Sequence, residues 1–152
     1  MSGGHFSEGV RQAARERAAS RCEYCRKLDA DYLALNFEYD HALPKVAGGD
    51  NSLNNCVFSC SHCNSFKGIR IHARDPESNE NVLLFNPRQM AWKDHFTWSN
   101  DKLEIMPLTA TGRATVVALK LNREPMRQHR RSEQIIEKTL KALQEKSSAG
   151  EQ

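Results

Sequence analysis

Two Cys-x-x-Cys pairs, Cys22/Cys25 and Cys60/Cys63, enclose an Asp40-His41 dipeptide and Asn55, and Asn64 directly follows the last cysteine. Each pair places two thiolates on a tight turn, and four thiolates complete the tetrahedral shell of a structural Zn2+. The enclosed residues have a different chemistry. Asp40 and Asn64 offer hard oxygen donors suited to Mg2+ or Mn2+, while His41 offers an imidazole able to act as a base. A closed soft-metal site built around a hard-metal site predicts hydrolytic chemistry.

The chain that must position these groups has 152 residues, of which 39% are hydrophobic. That length fits one domain, taken as 1–146, with a core modest enough for a metal clamp to be a useful supplement. The first twenty residues are polar and charged, and no run approaches the roughly 18 apolar residues of a membrane span. The expectation is a soluble cytoplasmic protein with no membrane partner, whose reduced thiols bind metal in preference to forming disulfides. Cys56, the odd cysteine, lies in the apolar run Cys56-Val57-Phe58 and reads as a small buried hydrophobe. Net charge is +3, but residues 112–146 hold nine Lys/Arg against four Glu. That excess suits a polyanionic partner, and equally a solvated helix face.

Local pattern places the motifs on elements. Ser7 caps a helix through about Ser20, with Val10, Ala13, Ala14 and Ala18 at helical spacing. The stretch Leu35–His41 alternates as a strand and is stopped by Leu43-Pro44; Gly48-Gly49-Asp50-Asn51 is loop. A second strand over Asn55–Ser59 leads into a helix from Ser61 to Lys67, with Gly68 at its end. Residues 74–81 read as polar loop, Phe96–Trp98 with Lys102–Ile105 as a hairpin, and Arg113–Leu121 as a helix capped by Thr111 or Thr109. A last helix runs to about Lys146 with Ile135, Ile136, Leu140 and Leu143 as its apolar stripe, and residues 147–152 form a disordered tail. In a regular strand Asp40 and His41 would point to opposite faces, so the strand must bend or end at them.

His41, Asn55 and Asn64 are spaced by fourteen and nine residues, on strand, strand start and helix. With Phe37-Glu-Tyr-Asp-His-Ala-Leu-Pro44, Gly48-Gly49 and Cys60-Ser-His-Cys-Asn-Ser-Phe-Lys67, this strongly resembles the HNH endonuclease family. Similarity to stand-alone bacterial HNH proteins also extends through Leu84-Phe-Asn-Pro-Arg88, Trp92 and His95-Phe-Thr-Trp98 to Leu121-Asn-Arg123. The resemblance implies an α+β fold: a zinc-braced ββα-metal core with an N-terminal helix, a small hairpin and C-terminal helices.

It further implies that Asp40 and Asn64 bind one divalent cation, Mg2+ or Mn2+, that His41 activates water, and that Asn55 holds His41 in place. Neighbouring side chains on a helix diverge by about 100°, so Cys63 can face zinc while Asn64 faces the catalytic ion. Lys67 shares the Asn64 face and is expected at a DNA phosphate, with Arg113, Arg123 and Arg127 as further contacts along the basic helices. The expected activity is hydrolysis of DNA phosphodiester bonds. The alternative is a zinc-stabilised nucleic-acid-binding module without catalysis. The oligomeric state is not set by these residues.

Overall fold

The structure, a computed structural model, describes residues 5–30 and 36–150. Helix α1 (Glu8–Arg17) starts at the expected cap, where Ser7 Oγ accepts the Val10 N–H. It stops three residues earlier than expected because Ala19 and Ser20 adopt left-handed backbone, with φ of 53° and 58°. The chain then forms the first cysteine turn, closed by a single bridge between Arg21 and Leu28.

Strands β1 (Phe37–His41) and β2 (Cys56–Cys60) pair antiparallel, with His41 opposite Cys56 and Phe37 opposite Cys60. Leu35, the expected strand start, lies outside the described residues. Helix α2 (Ser61–Lys67) follows β2 without a break and ends at Gly68, whose φ of 56° turns the chain away. β1, β2 and α2 are the ββα unit that the motif spacing implied. Between the strands run two short 3-10 turns, Lys45–Ala47 and Leu53–Asn55. Gly48 sits between them with φ of 95°, and a side chain on Gly49 would run into the Leu43 carbonyl.

The remaining chain wraps this unit. Residues 75–80 are loop as expected, but they are the turn of a hairpin between two strands that composition did not reveal, β3 (His72–Arg74) and β4 (Asn81–Leu83). Its turn is organised by Asp75, whose carboxylate accepts the Glu77 and Ser78 N–H groups. Helix α3 (Trp92–His95) leads into strands β5 (Phe96–Trp98) and β6 (Ile105–Pro107), so the second strand of the expected hairpin lies further along the chain. Helix α4 (Ala110–Ala118) is capped by Thr109, whose Oγ1 accepts from Gly112.

Helix α5 (Glu124–Gly150) continues past Lys146, so residues 147–150 of the expected disordered tail are helical; 151 and 152 lie outside the described residues. Met126 and Arg130 anchor its first turns, whereas Ile135, Leu140 and Leu143 of its apolar stripe stay exposed. Tyr24, Val57, Leu84, Phe85, Phe96, Ile105, Leu119, Leu121 and Met126 form one core with the four motif cysteines inside it. Cys56 belongs instead to a small second cluster with Phe6 and Ala14. A brace made from the cysteines therefore sits inside the main core, whereas α1 packs on the second cluster.

Candidate active site

The sulfurs of Cys22, Cys25, Cys60 and Cys63 all lie within 4.8 Å of one another and are buried. A zinc ion with Zn–S bonds of about 2.3 Å needs tetrahedral edges of about 3.8 Å, and Cys25 Sγ lies 3.7 Å from Cys60 Sγ. Each turn repeats one geometry: the Cys25 N–H points at Cys22 Sγ and the Cys63 N–H at Cys60 Sγ, both at 3.5 Å. The four thiols compete for charge. Burial pushes Cys25 up, while hydrogen bonds from Cys22, Cys25 and Cys63 pull Cys60 down. Donor type, spacing and burial all fit Zn2+, which would relieve that competition.

The two residues inside the first cysteine turn dock it on its neighbours. The Glu23 N–H donates to the Phe58 carbonyl, and the Glu23 carboxylate accepts the Phe58 N–H, both at 2.9 Å. Glu23 is also paired with Arg88. Trp92 Nε1 donates to the Tyr24 carbonyl, and the Tyr24 hydroxyl donates to Asp40 Oδ2 at 2.9 Å. The soft-metal turn is thus one side chain away from the first of the expected hard-metal ligands.

Asp40, His41 and Asn64 line a single cleft of about 400 Å³, together with Tyr39, Pro44, Lys45, Ser65, Gly68 and Ile69. β1 ends at His41, which is how adjacent residues come to share a cavity that a continuing strand would have separated. Lys67, 3% exposed, holds this strand end: Nζ lies 3.1 Å from Asp40 Oδ2 and donates to the His41 carbonyl at 3.3 Å. Both donors to the Asp40 carboxylate fall on Oδ2. Burial raises the Asp40 carboxyl above its usual range, against the pull of Lys67 and Tyr24. The Asn64 amide donates to Glu38, two residues before Asp40 on β1. A carboxylate and an amide lining one open cleft form a donor set compatible with a hard divalent cation.

His41 is held differently from the expectation. Its Nε2 lies 2.8 Å from Asn51 Oδ1, and its ring stacks on Phe6 with centroids 4.2 Å apart and an interplanar angle of 24°. Asn55 bonds the loop in place of the imidazole. Its Oδ1 accepts from Leu43 N–H at 2.8 Å, and its Nδ2 donates to the Leu43 and Asp50 carbonyls at 3.0 and 2.9 Å. An amide can bridge two loop ends in this way because it both donates and accepts.

The expected phosphate contacts are mostly engaged inside the protein. Lys67 is buried against Asp40. Arg113 is bidentate to the buried Asp75, at 2.9 Å on each arm, and also reaches Glu77. Arg127 lies 3.5 Å from Glu104 and 3.6 Å from Glu124. Arg123 lies over the Phe66 ring at 5.2 Å, with Lys120 on the same ring at 5.0 Å. Spacing alone located these cations on helices but could not show that each had a local acceptor.

A family model, HNH endonuclease, matches residues 22–70. Over that stretch the chain is similar to the HNH endonuclease family. The match begins at the first zinc-type cysteine and ends three residues after α2, so it covers the ββα unit and both cysteine turns. Searches of curated proteins and of solved structures returned no match. HNH domains are nuclease-type modules, and their substrate class is nucleic acid. Among the described residues no helix is long and apolar enough to cross a membrane.

The motif missed four participants: Tyr24, Lys45, Asn51 and Phe6. Tyr24 occupies a position between the paired cysteines that their spacing leaves unspecified, and Lys45 lies on a turn that composition did not resolve. Asn51 read as turn residue, and Phe6 lies before the first helix, outside the HNH match.

Proposed function

We propose that the protein is a metal-dependent endonuclease that hydrolyses phosphodiester bonds in DNA. The observation that carries this reading is the convergence of Asp40, His41 and Asn64 on one cleft, with the tetracysteine brace tied to Asp40 through Tyr24. Asp40 and Asn64 would hold the cation, Mg2+ or Mn2+. When bound, it supplies Lewis-acid stabilisation of the phosphate oxygens and of the leaving 3′ oxygen. His41 removes a proton from a cleft water as that water attacks phosphorus. Lys67 and Tyr24 keep Asp40 from turning and offset its buried charge. Lys45, exposed on the cleft rim, is placed to meet an adjacent phosphate.

A purely binding module is the weaker reading. Of its expected basic strip, Arg113 and Arg127 already pair with carboxylates, Lys67 is buried against Asp40, and Arg123 lies over the Phe66 ring. Incubation of zinc-loaded protein with supercoiled and linear DNA in Mg2+, Mn2+ or EDTA tests the proposal. Nicked or linear product that depends on the divalent ion is expected. DNA binding without cleavage in either metal would return the binding module to first place.

A further inference from the structure

We propose that Asn51 and Phe6 together are the positioning clamp of the His41 imidazole, and that Asn55 supports it from the loop backbone without touching the ring. The inference rests on the endonuclease reading and goes beyond it by naming what orients the base. His41 ends a strand and is half-buried, so packing by the sheet alone leaves its ring free to flip about its second side-chain torsion. A flip exchanges the two nitrogens and would aim the wrong one at a cleft water.

Two contacts prevent this. Asn51 Oδ1 can only accept, so at 2.8 Å it requires a proton on Nε2 and leaves the Nδ1 lone pair for the cleft. Phe6, 5% exposed, lies nearly flat against the ring at 4.2 Å and blocks rotation out of the plane that this bond needs. The clamp is assembled from two distant pieces of chain. Phe6 comes from the segment before α1, held in a small cluster with Ala14 and Cys56 and flanked by Val10, Tyr39 and Leu53. Asn51 follows directly on Asp50, whose carbonyl Asn55 pins at 2.9 Å. Asn55 thus steadies the loop on both sides, at Asp50 beside Asn51 and at Leu43 just after His41, while Asn51 alone of these reaches the ring. One half of the clamp lies outside residues 22–70, so the N-terminal segment contributes to the site as well as to packing.

The test uses full-length, zinc-loaded protein with three replacements: Asn51→Leu, which keeps the volume and removes the acceptor, Asn51→Asp, which keeps an acceptor, and Phe6→Leu. Steady-state cleavage of supercoiled DNA is followed in Mn2+ at about pH 8.5, two units above the ordinary imidazole pKa. Asn51→Leu should lower kcat by about 10–100-fold, the usual loss for a group that orients a working imidazole, with KM and zinc content unchanged. Asn51→Asp should restore most of that loss, and Phe6→Leu should lower kcat with KM unchanged. Nitrogen-15 spectra of labelled histidine in the resting protein supply a readout independent of turnover. The Nε2–H tautomer should dominate at His41 in the unaltered protein and in Asn51→Asp, with a mixture in Asn51→Leu. Undiminished kcat in Asn51→Leu, or a Nδ1–H tautomer in the unaltered protein, overturns the clamp. If the unaltered protein fails to cleave in any metal, the endonuclease reading falls first, and the tautomer alone then decides whether Asn51 sets the ring.

Discussion

Replacing Asn55 separates two accounts of the middle residue of the motif. The spacing implies that Asn55 steadies the base directly, whereas the structure gives it three bonds to the loop backbone and none to His41. At a net 0.5–1.5 kcal/mol for each hydrogen bond, Asn55→Ala should cost about 2–3 kcal/mol, discounted from the sum because water reaches a half-buried loop. Asn55→Asp should cost at least as much: it keeps the acceptor for Leu43 N–H but loses both donations and sets a carboxylate against two carbonyl oxygens. Urea unfolding of zinc-loaded protein, with the slope checked for constancy, measures the change. Hydrogen exchange should show lost protection at Leu43 N–H. Cleavage should fall in both variants while the tetracysteine site keeps its zinc. If Asn55→Ala unfolds within about 0.5 kcal/mol of the unaltered protein, the range of an ordinary surface change, yet loses cleavage, the loop-pinning assignment is wrong.

Three further outcomes follow from the same contacts. Cys60→Ser should abolish stoichiometric zinc and unfold the core, because structural zinc supplies on the order of 10 kcal/mol of apparent folding free energy; metal analysis and circular dichroism check this, and a folded, zinc-free active protein would contradict it. Tyr24→Phe should preserve fold and zinc but weaken Mn2+ binding about tenfold, since Asp40 Oδ2 loses its phenolic donor; unchanged Mn2+ affinity by paramagnetic resonance would disconnect the turn from the cleft. The Arg113 guanidinium holds the Asp75 carboxyl well below the usual carboxylate range. A lowered folded-state pKa stabilises above the unfolded value near pH 4 and is lost as pH falls through the folded one. The stability gap between the unaltered protein and Asp75→Asn should therefore be flat from about pH 7 to 5 and narrow below about pH 4; a gap that widens on acidification would show that the pair does not carry that charge.

The ββα unit was legible because its signals are local. Cysteine pairs fix turns, alternation fixes β1, and Ser61 to Lys67 begins and ends at residues suited to helix termini. Asp40, His41 and Asn64, which motif spacing singled out, also line one cleft. What the residues could not reveal were partners distant in sequence. Tyr24 reaches Asp40 across 16 positions, and Arg113 reaches Asp75 across 38. Lys67 and Arg113 were expected at phosphates because a cation's helix face can be read from spacing, whereas its counter-ion depends on how remote segments pack. The β3–β4 hairpin escaped for a related reason. Its strands are three residues long and its turn is defined by Asp75, which polar composition does not distinguish from loop.

The central claim is that this cleft hydrolyses DNA with His41 as base. Its most direct test is the single-turnover rate of supercoiled DNA cleavage in Mg2+ or Mn2+ for the unaltered protein and for His41→Ala, with zinc content and unfolding midpoint matched. The account predicts divalent-dependent cleavage that falls about 10²–10⁴-fold on removal of the imidazole, the range for loss of a general base. Cleavage by His41→Ala at the unaltered rate would contradict it.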